Sequence, residues 1–300
     1  IIGLGNIGKR HLQSLLKNST SLNIYLFDIS RIQFKSKYRN HRIHILNKLP
    51  KNLIIELLII ATTSKDRYHL LKKISFNNKI KKTVIEKIAF VNKRHYLNAL
   101  KYKNLLINYP RPLMKSYSYL KNYLKSMTIE SISVYGHNWN MLSNTPHFMN
   151  LFFYLTEGNL SKINTTKIHN RIYSSKRKGF HELKGSLSFM NNKNQYLELF
   201  DSPKYKTNFI QIFTDNLVVK IYESISLVKI YDKKLSLIKD KKFVLELQSD
   251  LTNKSFLKSF NSDGLNFLFL NKCIENELLY LYFLRILKKT NNKFKEIVYS

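Results

Sequence analysis

Over its first hundred residues the chain alternates between short runs of β-branched and aliphatic residues and stretches whose apolar positions recur at three- and four-residue spacing. The runs predict strands at residues 1–2, 24–27, 43–46, 57–61, 83–85 and 105–108. Between them, Leu12, Leu15 and Leu16 mark one face of a helix over 11–17, and Tyr96, Leu97 and Leu100 do so over 93–103; residues 67–74 read the same way. Strands separated by helices imply a parallel sheet with crossover connections. Six of them match the strand number of a doubly wound sheet.

Pro110 and Pro112 interrupt this rhythm and set a predicted boundary, because proline stops helices and is excluded from central strands. A helix over 114–124, a strand over 131–135 and a helical run over 147–155 come next. Alternating segments follow at 182–190, 195–200, 208–213, 217–222, 227–231 and 243–247, and a helix from 265 to about 288 closes the chain. Strands without intervening helices, apolar on one side, predict an antiparallel sheet with one face on a core. The expected fold class is an α/β N-terminal Rossmann fold, a doubly wound parallel sheet over residues 1–109. An α+β domain with a largely antiparallel open sheet is expected over residues 110–300. This second domain is expected to bind substrate and, through its sheet, to join copies into a homo-oligomer.

A hydrophobic content of 44% over 300 residues supports a sizeable core and excludes a disordered chain. The single cysteine, Cys273, rules out an intrachain disulfide and a cysteine-rich zinc site, which fits a reducing cytoplasm. The longest apolar stretches, 53–61 and 278–287, fall short of the ~20 residues that span a bilayer, so no transmembrane helix is expected. Ile1 opens the chain within a strand, which leaves room for a short preceding or targeting segment. The formal net charge of +32 attracts polyanions, yet the lysines are spread along the whole chain. That spread fits compositional drift or an anionic small substrate better than a nucleic-acid or membrane partner, and no nucleic acid is expected. His41 and His44 imitate a metal pair without a third ligand, so no metal is expected. The sequence also lacks a G-x-S-x-G, an H-E-x-x-H, a P-loop or a Cys/His constellation, which leaves hydrolase and kinase chemistry without a motif.

The strongest chemical signal is G-x-G-x-x-G at Gly3, Gly5 and Gly8, directly after the first apolar run and directly before the first helix. In such a turn the first glycine makes the bend, the second lets a pyrophosphate approach the backbone and the third allows helix and strand to pack closely. Helix-terminal N–H groups, here from Asn6 and Ile7 onward, then face the phosphates. Asp28 follows Gly8 by 20 residues at the end of the next strand, where a carboxylate accepts hydrogen bonds from ribose hydroxyls. The cofactor expected is therefore NAD or NADP. Asp28 repels a 2′-phosphate and favours NAD, while Ser30 and Arg31 keep NADP open.

Four segments in order, 3–11 (GLGNIGKRH), 60–69 (IATTSKDRYH), 84–89 (VIEKIA) and 136–155 (GHNWNMLSNTPHFMNLFFYL), resemble the Gfo/Idh/MocA family of glucose-fructose oxidoreductase and inositol dehydrogenase relatives. The resemblance implies that the turn at Ala61, Thr62 and Thr63 lies against the cofactor, with His69 nearby. It implies that Glu86 and Lys87 stand for the family's E-K-P motif, the lysine directed at the nicotinamide and the reacting carbon. Ile88 replaces the proline, which is expected to loosen the turn. His147 matches the family's histidine, with Ser143 and Asn150 where aspartates often stand. His147 as proton acceptor and Lys87 as alkoxide stabiliser, one from each domain, are the expected catalytic residues.

The segment Gly136-His-Asn-Trp-Asn with Asn144 is similar to the subgroup encoded among surface-polysaccharide genes, which implies a sugar or nucleotide-sugar substrate. Arg111, Trp139, Asn144, Asn150 and Arg177 are the candidate substrate contacts. Trp139 reads equally as a core residue, and the cluster of Arg171, Lys176, Arg177 and Lys178 as a solvated loop or a diphosphate clamp. Set against the oxidoreductase is a non-catalytic NAD-binding or regulatory protein of the same fold.

Overall fold

In the computed structural model, which describes residues 1–30, 40–175, 179–257, 263–290 and 292–297, the N-terminal apolar runs are parallel neighbours. β1 (Asn23–Leu26) pairs with β2 (Arg42–Ile45), while β3 (Ile54–Ile60), β4 (Lys79–Glu86) and β5 (Leu105–Asn108) pair in sequence. Ile2 links the two sets, bridging Phe27 on one side and Ile60 on the other. Taken with Ile2 as the first run, the order across the sheet is third, second, first, fourth, fifth, sixth, that of a doubly wound dinucleotide fold. Helices α1 (Asn6–Leu16), α2 (Arg67–Asn77) and α3 (Lys93–Ala99) make the crossovers. Leu58, Ile59, Ile60, Val84, Ile85, Leu105, Leu106 and Ile107 are buried, because a parallel sheet covered on both faces needs apolar residues in both directions.

The chain divides into two compact units, Ile1–Leu113 with Glu246–Lys272, and Met114–Leu245 with Cys273–Ser300. The first therefore takes in a segment that the sequence pattern assigns to the second domain. α6 (Gln248–Leu251), a π-helical turn over Thr252–Leu257 and α7 (Asp263–Asn266) belong to it. Polar contacts tie this segment down: Lys17 to Asp250 at 2.5 Å, Asn18 to Asn253 at 3.0 Å, and buried Lys82 to the Phe256 carbonyl at 2.9 Å. Ile107 N–H donates to the Leu268 carbonyl at 2.8 Å and Phe269 bridges Leu106. Residues 267–269 are thus spent on the edge of β5, and the expected closing helix from 265 is two helices, α7 and α8 (Leu270–Thr290).

The second unit starts with α4 (Lys115–Tyr123). Its sheet contains β6 (Ile129–Gly136), β7 (Leu160–Ile168), β10 (Gly185–Asn191), β11 (Tyr196–Asp201), β12 (Phe209–Thr214), β13 (Leu217–Tyr222), β14 (Leu227–Asp232) and β15 (Leu237–Lys242). The order is β15-β14-β13-β12-β6-β11-β10-β7, antiparallel except between β6 and β11. β8 (Tyr173–Ser174) and β9 (His181–Glu182) form a separate two-stranded pair. Ile132, Val134, Leu197, Leu199, Ile210 and Ile212 alternate onto the buried face, beneath α5 (Met141–Thr156).

The second unit departs from the pattern-based reading in several places: β15 is an unexpected strand, and the expected strand over 182–190 is divided between β9 and β10. β7 escapes that reading because SKINTTK offers an edge strand little apolar alternation. The expected strand over 243–247 is not one. The chain leaves the sheet after β15, Phe243 buries its ring against Tyr117 at 5.0 Å, and the Val244 carbonyl accepts from Ser116. α5 begins at Met141, not at His147, and carries Pro146 within it. Proline has no N–H for the Leu142 carbonyl four residues back, and the Tyr280 hydroxyl donates to that oxygen instead, at 2.5 Å.

Candidate functional site

The glycine turn has the three-way division of labour its spacing predicts. Gly3 has φ +90°, and a Cβ there would stand 2.9 Å from Ala61 C and Thr62 N. A Cβ on Gly8 would lie 2.0 Å from the Gly3 carbonyl oxygen. At Gly5 a Cβ would meet nothing within 4 Å. Gly5 is the N-cap of α1 and caps it with no side chain, so the helix presents open amides beside exposed Gly5 and Asn6. The free space, the open amides and the helix dipole suit a pyrophosphate. Asp28 accepts from Leu4 N–H at 2.6 Å and from Ser30 N–H at 2.8 Å, bracing the turn. Each carboxylate oxygen keeps a lone pair for a ribose hydroxyl. Arg31 lies outside the described residues.

Two buried side chains absent from the sequence-based site connect this turn to Lys87. Arg67, 3% exposed, donates through Nε to the Thr62 carbonyl at 2.9 Å, through Nη2 to the same oxygen, and through Nη1 to the carbonyls of Glu86 and Ile88. The expected loosening at Ile88 does not occur. Ile88 is fully buried and its carbonyl is held by Arg67. Thr62 and Thr63 thus share one anchored corner with Glu86 and half-buried Lys87.

His11, on the inner face of α1, donates from Nε2 to Glu86 Oε1 at 2.9 Å, while its Nδ1 meets Thr252 Oγ1 at 2.7 Å. Asn108 Nδ2 donates to Glu86 Oε1 at 2.6 Å and to Gln248 Oε1 at 3.0 Å, and Gln248 Nε2 donates to Thr252 Oγ1 at 3.0 Å. Five buried side chains close a ring. Burial alone would push the Glu86 carboxyl up, but His11, Asn108 and Arg67 together hold it below the ordinary range. Glu86, counted with Lys87 among the expected cofactor-binding residues, is therefore a buried, charged structural post next to Lys87. A polar residue on the apolar face of α1 was the one sequence signal for His11. His69 is exposed and its ring packs with Tyr68 and His95, at 5.8 and 5.3 Å. His41 is also spent, its ring nitrogens lying 3.3 Å from Leu22 N and 3.2 Å from the Leu16 carbonyl. Arg111 sits half-buried in a 3₁₀ turn of this unit.

In the second unit the Gly136–Asn140 loop is knitted to the ends of β11 and β12. His137 N–H donates to Asn208 Oδ1 at 3.0 Å and Asn138 N–H to Asp201 Oδ1 at 2.9 Å. Burial raises the Asp201 carboxyl above its usual range, which the Asn138 N–H only partly offsets. Trp139 is a core residue. Its ring meets Phe148 at 5.3 Å and its indole N–H is taken by the Phe200 carbonyl at 2.9 Å, the core placement of the two its sequence allowed. Asn144 donates to the Trp139 carbonyl at 2.6 Å. His147 is half-buried and Asn150 buried on α5. One turn before His147, Ser143 donates its N–H to Glu182 Oε2 at 3.2 Å and its hydroxyl to Glu182 Oε1. Glu182 comes from β9, with no spacing in the sequence to announce it. Arg177, Lys176 and Lys178 lie outside the described residues, and Arg171 is exposed, 5.4 Å from the Tyr173 ring centroid.

No sequence-family model matches the chain, and no curated protein matches it in sequence. Solved structures do match in fold. A Gfo/Idh/MocA family oxidoreductase from Vibrio cholerae superposes with a TM-score of 0.60 at 11% identity, covering 96% of this chain and 97% of that one. UDP-N-acetylglucosamine 3-dehydrogenase GnnA from Acidithiobacillus ferrooxidans gives 0.64 at 10% identity, over 95% and 94%. A super-repressor mutant of Gal80p from Saccharomyces cerevisiae gives 0.66 at 15% identity, over 97% and 95%. The parallel sheet, the glycine turn and the mostly antiparallel second sheet, matched over nearly the full chain, give this protein the fold of the Gfo/Idh/MocA family oxidoreductases.

Proposed function

We propose that this chain is an NAD(P)-dependent oxidoreductase that moves a hydride between the nicotinamide and a carbinol or carbonyl carbon of a sugar or nucleotide sugar. The observation that carries the reading is the glycine turn. Protein atoms exclude a Cβ at Gly3 and Gly8, while the space at Gly5 stays free beside an open helix terminus. Gly3, Gly5, Asn6, Ile7 and Gly8 would hold the pyrophosphate, and Asp28 the ribose, favouring NAD. Thr62 and Thr63 would border the cofactor. The bound nicotinamide supplies the hydride acceptor or donor. Lys87, fixed one residue beyond the buried Glu86 post, stabilises a developing alkoxide with its ammonium group, and His147 takes the hydroxyl proton.

The name of GnnA and the 136–140 loop support a nucleotide-sugar substrate, with Arg111, Asn144, Asn150 and Arg177 as its proposed contacts. No described helix is long and apolar enough to cross a membrane, and the lone buried cysteine suits a cytoplasmic setting. The half-exposed face of the second sheet carries Phe200, Tyr135, Phe209 and Tyr222 in ring contact, which supports self-association there. NADH titration followed by turnover with a panel of UDP-sugars tests the reading. Lys87→Met should lower kcat by at least ~10²-fold with NADH affinity retained. Absence of NADH binding by the folded wild type sinks it. A regulatory, non-catalytic reading is favoured by Ser143 and Asn150 and by the likeness to a protein named as a repressor. Tight NADH binding without turnover on any sugar nucleotide would select it.

A further inference from the structure

We propose that Glu182 is a positioning residue for His147, a carboxylate delivered from β9 that fixes the charge state of that histidine. The inference rests on the oxidoreductase reading for its purpose, but not for its geometry. Glu182 is 5% exposed and grips Ser143 twice, through the backbone N–H at 3.2 Å and through the hydroxyl. Ser143 and His147 are four apart on α5, which places them one above the other on the same helix face, separated by about 6 Å of rise. A carboxylate locked at Ser143 therefore lies within one helical turn of the imidazole. It also sits at the N-terminal end of α5, where Asn140 provides no side-chain cap and the helix dipole favours negative charge.

Among the described residues, the acidic and phenolic groups of β6 and β11, the strands under α5, are engaged elsewhere or face away. Asp201 on β11 accepts from Asn138 N–H. Tyr135 on β6 and Glu198 on β11 lie on the opposite sheet face, Glu198 accepting from Ser133, and Glu130 is exposed at the start of β6. Glu277 of α8 lies beside Cys273. His181 is half-buried next to Glu182 on β9, pointing to the other side of that strand by alternation. Glu182 is thus a carboxylate held directly on the turn of α5 that precedes His147.

The competing role is helix capping alone, and the two separate cleanly. Glu182→Gln keeps an oxygen for the Ser143 N–H and removes only the charge. The ring resonances of His147, assigned by their loss in His147→Gln, are followed by NMR from about pH 5 to 9 in the full chain. The titration midpoint should fall by about one unit in Glu182→Gln, the lower end of the effect of one opposite charge at this separation, and recover in Glu182→Asp. Ser143→Ala, which frees the carboxylate from its hydroxyl clasp, should move it the same way by less, and it decides the matter if Glu182→Gln does not fold. A midpoint unchanged within ~0.2 units in the folded variants, with only a lowered melting temperature, overturns the proposal and leaves Glu182 a cap. NADH affinity should be unchanged in all of them. Failure of the wild type to bind NADH would remove the oxidoreductase reading while leaving this titration result standing.

Discussion

Gly5 and Gly8 differ in one measurable way, and the difference separates ligand space from packing space. An added Cβ on Gly8 would lie 2.0 Å from the Gly3 carbonyl oxygen, well over 1 Å inside ordinary contact distance for a carbon and an oxygen (~3.3 Å). The obstacle is backbone, and Gly3, at φ +90° and itself 2.9 Å from Thr62 N by the same construction, has no room to retreat. Overpacking of this kind costs about 1–3 kcal/mol, so Gly8→Ala should lower the melting temperature by roughly 2–12 °C in a chain of this size. Gly5 has φ −64° and open space around its Cβ position, so Gly5→Val should change stability by less than ~1 kcal/mol, the scale of an N-cap replacement. Its isopropyl group would instead occupy the approach to the α1 amides. Losing two hydrogen bonds from amides to a charged phosphate, each about 1.5–3 kcal/mol, weakens NADH binding by about 100-fold or more. Thermal melts and isothermal titration with NADH on both variants check this. A folded Gly5→Val chain with wild-type NADH affinity, or a Gly8→Ala chain with an unmoved melting temperature, would refute the reasoning.

Three further outcomes are expected. Tyr280→Phe should destabilise the protein by about 1–3 kcal/mol, because the Leu142 carbonyl, which Pro146 cannot serve, loses its donor; adding Pro146→Ala to that variant should recover part of the loss in urea unfolding. The Glu86 carboxyl is held below its ordinary range, so the stability it contributes is complete above the unfolded carboxylate value near ~4.3 and is lost as pH falls through the lower folded value. Stability measured from neutral pH down to about pH 3 should consequently fall less steeply in Glu86→Gln. Tyr135→Lys with Phe209→Lys should shift any oligomer toward monomer in sedimentation velocity without loss of fold, and an unchanged distribution would exclude the open sheet face as the contact.

The sequence by itself determined the first sheet and the outline of its turn. Buried parallel strands need near-continuous apolar runs, and residues 57–61, 83–85 and 105–108 had no other plausible fate. Gly3 and Gly8 are legible for a similar local reason, since each answers to backbone of the turn or of the adjacent strand end, while Gly5, with no protein atom against it, is legible only through its spacing in the motif. β7 and β15 were hidden because an edge strand with one solvated face carries a weak alternation. The site's supports were hidden for a different reason. Arg67 reaches across 19 residues to the Glu86 carbonyl, Thr252 lies 241 residues from His11, and Glu182 lies 39 from Ser143. No periodicity encodes such pairs. A buried polar group must find a partner, but which one it finds depends on where distant elements come to rest, and that was decided only by the tertiary structure.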